Sequence, residues 1–284
     1  MSKINFAFFG GEPLSIVTLQ KLYENGFVPG LIISNPDKPQ GRNLEVASPR
    51  TALWAKEHNI PLIQPEKLKK EEIRNIFDFF VVVSYGKIIP KEILDLPKYG
   101  TINIHPSLLP KYRGPSPIVA PILNGDSYTG VTIIKIDEEM DHGPILAQEK
   151  ISLSGNEFIQ DLEKSLAELG GELLVKTLKT PSASDHSPFA GGEKQDESQA
   201  TYCKKIKKAD GLINLDDDAV KNYNKFRAYT TWPRTFFFQN NKRIIITDAI
   251  LEDNLLDPAR GKQFIIKKVL PEGKKEIKWE EFNK

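Results

Sequence analysis

A single cysteine, Cys203, stands in 284 residues. One thiol excludes an internal disulfide framework and a cysteine-rich zinc site, and it points to a reducing compartment. Long apolar runs are also missing. None approaches the roughly 20 residues that span a bilayer. The first apolar stretch, Ile4–Phe9, is too short for a signal-peptide core and has no cleavage pattern after it; it reads as a buried strand. A cytoplasmic protein with no membrane attachment is expected. Neither charge dominates, with 39 Lys and Arg against 38 Asp and Glu. Hydrophobic residues are 39% and charged ones 27%, which excludes disorder. The length allows one large or two medium domains with substantial cores.

The near-zero net charge conceals an asymmetry. Residues 1–200 hold 21 Lys and Arg against 26 Asp and Glu, net −5; residues 201–284 hold 18 against 12, net +6. This is the pattern of an acidic body with a basic appendage suited to a polyanion. The alternative is a lysine-rich solubilising surface.

Along the first half, strands alternate with helices. Apolar runs at Ile4–Phe9, Val28–Ser34, Pro61–Gln64, Asp78–Ser84 and Thr101–Ile104 read as strands, the fourth buried on both faces. Pro13–Asn25 reads as a helix stopped by Gly26. Ser48–Asn59 reads as another, with Ser48 as N-cap and Pro49 in its first turn. Gly130–Ile136 and Ile145–Ile151 read as a strand pair before a helix over Glu157–Leu178. Alternation of this kind predicts an α/β fold: an open, Rossmann-like, mostly parallel sheet with helices on both faces. Thr180–Gln199 is rich in Ser, Pro and Gly and reads as a linker. The division expected is therefore 1–180, a linker over 181–200, and 201–284. The last segment predicts a helix over Asp217–Thr230 behind the cap Asp216-Asp217-Asp218, then short strands of a small β-barrel.

Three places could carry chemistry. The Gly10-Gly11 turn matches neither Gly-x-Gly-x-x-Gly nor a Walker-type Gly-Lys-Ser/Thr, so it predicts a tight strand-to-helix turn beside a ligand crevice rather than a nucleotide site. Asn103 and His105 lie two apart at the carboxyl end of a strand, and so on one face. Pro106 stops the strand after them. An amide and an imidazole there can stabilise an oxyanion and move a proton; the alternative is that they satisfy backbone groups at the sheet end. The third is Asp137-Glu138-Glu139-Met140-Asp141-His142-Gly143-Pro144. It reads as an acidic hairpin loop, as a set of metal-ligand types in no EF-hand or zincin spacing, or as the source of Asp141 to orient His105 and raise its pKa. Covalent catalysis has no support: Cys203 lies beyond the linker, and Ser107 and Ser116 lack a Gly-x-Ser-x-Gly elbow.

Asn103-x-His105, then Ser107-Leu108-Leu109-Pro110-Lys111-Tyr112-Arg113-Gly114, then Asp141-x-Gly143 resembles the 10-formyltetrahydrofolate-dependent formyltransferases, through nearly the whole chain. Within that family, two regions look like the members that act on methionyl-tRNA. One is Ser34–Asn43 with Ala47-Ser48-Pro49, similar to a tRNA-contacting loop, although Asn43-Leu44-Glu45-Val46 is less basic than usual. The other is the segment beyond the linker, with Ala200-Thr201-Tyr202, Lys207-Lys208, Ile213 and Trp232-Pro233, which resembles an OB-like C-terminal domain.

The resemblance implies Asn103, His105 and Asp141 as the catalytic trio and Ser107, Leu108, Leu109 and Pro110 as the folate-binding stretch, with Lys111, Tyr112 and Arg113 near it. It implies transfer of the formyl group of 10-formyltetrahydrofolate to the α-amine of methionyl initiator tRNA, by a monomer and with no metal. Charge adds Lys38, Arg42, Arg50, Lys204, Lys205, Lys207 and Lys208 as tRNA contacts. His142, where the family has a small residue, is expected to face solvent. The rival readings are a sugar-nucleotide formyltransferase, a formyltetrahydrofolate hydrolase and a non-catalytic RNA-binding protein.

Overall fold

The computed structural model describes residues 4–11, 14–40, 45–180, 189, 191–253 and 261–283. Arg42 of the expected tRNA loop and residues 181–188 of the expected linker lie outside these.

The elements follow in chain order: β1 (Phe6–Gly10), α1 (Leu14–Glu24), β2 (Leu31–Ser34), β3 (Lys38–Gln40), β4 (Glu45–Ala47), α2 (Arg50–Glu57), β5 (Leu62–Ile63), β6 (Phe79–Val83), α3 (Lys91–Leu94), β7 (Thr101–His105), α4 (Val119–Asn124), β8 (Tyr128–Lys135), β9 (Ile145–Ser152) and α5 (Ile159–Lys179). Then come α6 (Ala219–Ala228), β10 (Phe236–Gln239), β11 (Lys242–Asp253), β12 (Lys262–Pro271), β13 (Ile277–Lys278) and α7 (Trp279–Phe282).

A seven-stranded sheet runs in the order β5-β2-β1-β6-β7-β8-β9. The pairs from β5 to β7 are parallel, and β8 turns antiparallel to β7. The mostly parallel sheet was legible because its central strands are apolar at every position. Odd and even residues go to opposite faces, and both faces are covered. Ala7 and Phe9 join Leu31, Ile33, Phe80, Val82 and Ile93 of α3 in one core cluster. On the other face Phe6 stacks on Phe79 at 5.4 Å. There Gly170 of α5 lets the helix approach Ile104 and Val131 closely, since a Cβ on it would stand 2.9 Å from Ile104. Burying these side chains, at about 1.5–3 kcal/mol each, holds helices to both faces of the sheet.

Strand order reverses direction at β1, with β2 on one side and β6 on the other. Open α/β sheets bind ligands at such a switch, outside the carboxyl ends of the strands. The Gly10-Gly11 turn sits at that end. A Cβ on Gly11 would run into the carbonyl oxygen of Ser84, at the end of β6, so only glycine allows the two strand ends to converge.

Two local details differ from the sequence expectation. Ser48 does not cap α2; its hydroxyl donates to Asp37 at 2.9 Å, and the helix starts without a side-chain cap. The stretch around Lys38 forms a small antiparallel hairpin, β3 with β4. The α6 cap is as expected: the Asp218 carboxylate accepts from the Lys221 N–H.

The chain divides into two compact units. One comprises Met1–Gly114, Gly130–Lys150 and Glu163–Tyr202; the other comprises Pro115–Thr129, Ile151–Leu162 and Cys203–Lys284. The second unit holds the antiparallel sheet β10-β11-β12-β13 with α6, and it draws in α4 and the segment before α5. Buried Arg227 of α6 ties in the segment before α5, since its guanidinium donates to the Glu157 carbonyl at 2.6 Å and to Asn224 at 2.7 Å, and α4 packs against α6. The stretch whose composition reads as a linker is folded from Gly191 onward. Glu193 exchanges backbone hydrogen bonds with Ile145. Serine-rich composition carried no sign of this, because it is a backbone pairing.

Candidate active site

β7 delivers Asn103 and His105 to one face at the carboxyl end of the sheet, paired to β6 on one side and β8 on the other. Asn103 is partly exposed, and among the described residues its carboxamide makes no hydrogen bond. His105 is buried, at 4% exposure. Its Nε2–H donates to the Tyr112 carbonyl at 3.0 Å. Its Nδ1 stands 3.5 Å from Asp141 Oδ1, an ion-pair distance longer than a formed hydrogen bond.

Asp141 reaches that position through a strained turn. Its φ is +53°, in the left-handed region that Asp tolerates better than most residues. Gly143 follows two residues later, where any side chain would collide with the Lys135 carbonyl. The other carboxylate oxygen, Oδ2, accepts the Gly114 N–H at 2.8 Å. The Asp137–Pro144 cluster is thus the source of a partner for His105, one of the readings open from sequence.

One expectation is corrected. Asp141 does not raise the His105 pKa above its ordinary value. Burial pushes it below, and the pull from Asp141 and the Tyr112 carbonyl offsets only part of that. That direction favours the neutral imidazole, and the Tyr112 carbonyl favours the proton on Nε2.

The Ser107–Pro110 stretch leaves β7 as a compact loop. Ser107 is fully buried and its hydroxyl donates to the Lys111 carbonyl at 2.6 Å. Its own carbonyl accepts from Thr132, and Thr132 also accepts from the Leu109 N–H. Leu109 is buried too. Leu108 and Pro110 are the two side chains left partly exposed. Thus Ser107 and Leu109 shape the loop from within.

His142 does not simply face solvent. Its Nδ1 is 2.7 Å from Asp137 and its Nε2 is 3.4 Å from Glu197, and the bond to Asp137 foremost raises its pKa. Arg113, grouped by sequence with the folate stretch, is instead a buried anchor at 1% exposure. Its guanidinium donates to Gln195 Oε1 at 3.0 and 2.8 Å and to the Glu197 carboxylate at 2.9 and 2.6 Å. The Tyr112 N–H donates to the Thr201 hydroxyl and the Arg113 N–H to the Thr201 carbonyl, both at 2.9 Å, and these bonds dock the 195–202 segment on this loop. Gln195 and Glu197 were invisible in the sequence, since they fall in linker-like composition far from the motifs. Lys38, Arg50, Lys204, Lys205, Lys207 and Lys208 are exposed.

Known proteins share this architecture. Residues 4–178 match the family model described as formyl transferase, and residues 205–284 match its C-terminal domain. A methionyl-tRNA formyltransferase of Caldicellulosiruptor saccharolyticus is 41% identical over 267 residues, covering 91% of this chain and 84% of that protein. Among solved structures, the sugar 3N-formyl transferase WlaRD, in the presence of dTDP and 5-N-formyl-THF, superposes with TM-score 0.69 at 22% identity, covering 97% of this chain and all of that one. A methionyl-tRNA formyltransferase from Clostridium thermocellum gives 0.61 at 19%, covering 97% and 99%. At those identities the structural likenesses speak for the fold alone, whereas the sequence match carries further: this chain belongs to the methionyl-tRNA formyltransferase family of formyl transferases.

Proposed function

We propose that this protein transfers the formyl group of 10-formyltetrahydrofolate to the α-amine of methionyl initiator tRNA. The observation that carries the reading is the convergence of Asn103, buried His105 and Asp141 at the carboxyl end of β7. The folate supplies an activated formyl carbon held on N10. Leu108, Pro110 and the backbone of their loop are suited to hold it beside β7. Asn103 donates its amide protons to the formyl oxygen as negative charge develops there. One such donor is typically worth about 3–4 kcal/mol of transition-state stabilisation. His105 starts neutral, takes the proton that the attacking amine loses, and delivers one to the departing N10. Asp141 stabilises the imidazolium in between. One proton leaves the amine and one reaches N10, so the transfer balances.

In this reading residues 1–180 carry the chemistry. Residues 201–284, with OB-like character and net +6, supply most of the attraction for tRNA, assisted by Lys38, Arg42 and Arg50. The enzyme would act in the cytoplasm as a monomer. The direct test supplies formyltetrahydrofolate with charged initiator tRNA, with an amino-sugar nucleotide, or with water alone. Formyl-methionyl-tRNA as the dominant product supports the reading. Formylated sugar nucleotide or free formate in its place overturns it. His105→Ala and Asp141→Ala are each expected to lower kcat by at least about 100-fold in a folded protein.

A further inference from the structure

We propose that Gln195 is a positioning residue for Asp141, locked in that role by Arg113. The proposal rests on the assignment of Asp141 to the reaction made above. Gln195 lies between the two stretches that match the family models, 4–178 and 205–284. Its side chain is nevertheless 9% exposed and fully engaged. The amide nitrogen donates to the Asp141 carbonyl and the Gly143 carbonyl, both at 2.8 Å. The amide oxygen accepts from Arg113 Nε at 3.0 Å and Nη2 at 2.8 Å.

Chemistry dictates that orientation. A guanidinium has only donors, so it draws the amide oxygen and leaves the NH₂ for the turn. The two carbonyls flank His142 and bracket the part of the backbone where Asp141 sits at φ +53°. Other bonds hold the turn at its edges: His142 meets Asp137 at 2.7 Å, and the Gly114 N–H donates to the Asp141 carboxylate at 2.8 Å. Gln195 is the side chain that donates to the two backbone carbonyls on either side of His142. Without Gln195, two carbonyls lose their donor and the left-handed residue loses its clamp. The carboxylate would then drift from His105, whose Nδ1 it already meets at 3.5 Å. Misplacement of a reacting group by about 1 Å costs on the order of 100-fold in rate.

The test uses the full chain with Gln195→Glu, Gln195→Met and Asp141→Asn, and the double variants. Gln195→Glu keeps the length and the pairing to Arg113 but sets an oxygen against the two carbonyls. Gln195→Met removes the polar group and serves if the glutamate variant does not fold. Steady-state and single-turnover rates are measured with titrated folate affinity, KM for charged tRNA and melting temperature. Loss of this clamp is expected to cost about 10–100-fold through misplacement of the carboxylate. The expected result is that loss in kcat, with folate affinity and tRNA KM changed less than about 3-fold. In the Asp141→Asn background the same substitution is expected to cost less than about 3-fold more, because there is no carboxylate left to position. A Gln195 variant that keeps wild-type kcat overturns the proposal, as does an equal loss with and without Asp141, which marks a purely structural role. If Asp141→Asn alone retains wild-type kcat, the catalytic assignment itself fails and takes this inference with it.

Discussion

Replacing Arg113 with Met tests whether the 195–202 segment is held by one buried guanidinium. The side chain is 1% exposed and gives two hydrogen bonds to Gln195, two to Glu197 and one to the Tyr202 hydroxyl at 3.3 Å. Methionine keeps most of the volume and the apolar stem but none of the donors. The two partners that take two bonds each then differ. Glu197 has a side chain 57% exposed, so its carboxylate is rehydrated when the arginine leaves and contributes little to the cost. Gln195 is buried and its Oε1 is left without a donor, which costs about 1–3 kcal/mol. The total is therefore expected near about 2–3 kcal/mol, below the 3–5 kcal/mol typical when a fully buried charge is stranded. For a unit of this size that corresponds to a melting temperature lower by roughly 5–10 °C. Differential scanning calorimetry on wild type, Arg113→Met and Glu197→Gln checks it. The reasoning is refuted if Arg113→Met melts within about 1 °C of wild type. It is equally refuted if Glu197→Gln loses as much, since the exposed ion pair and not the buried amide would then carry the stability.

Leu108→Asp places a charge on the partly exposed side chain of the β7 loop and is expected to weaken folate binding at least about 10-fold with tRNA affinity intact; a direct titration decides. Reversing Lys204, Lys205, Lys207 and Lys208 to glutamate is expected to raise KM for tRNA and to flatten its salt dependence, by roughly 0.7–0.9 in log–log slope for each phosphate no longer neutralised, with folate affinity unchanged. An unaltered slope would assign RNA binding to other residues. The two site histidines are expected to oppose each other in stability against pH. Burial holds His105 below its ordinary value, so the unfolded chain binds the extra proton first and stability is lost as pH falls below about 6.5. His142 is raised by Asp137, so its contribution is fully present below about 6.5 and is lost as pH climbs through the higher folded value. Melting curves from pH 5 to 8 should show a flatter acid limb for His105→Asn and a selective loss at low pH for His142→Gln.

Two kinds of information divide the molecule. Much of what depends on neighbours along the chain was legible in the sequence. The unbroken apolar runs at Phe6–Phe9 and Phe79–Val83 determine strands buried on both faces, and strand-helix alternation then determines a parallel sheet. The two-residue spacing of Asn103 and His105 puts them on one face, because the strand period is two. The Asp218 cap was readable because its partner is three residues away. Pairings between distant segments were decided only by tertiary structure. Ser48 reads as a cap until Asp37 takes its hydroxyl. The 191–202 segment reads as a linker until Arg113, more than 80 positions away, binds Gln195 and Glu197. The protonation of His105 belongs to the same class. Residue type sets a pKa near 6.5, and a neighbouring aspartate argues for a higher one. Burial at the floor of the site outweighs that aspartate, and desolvation is a property of everything packed around the ring, which no local pattern encodes.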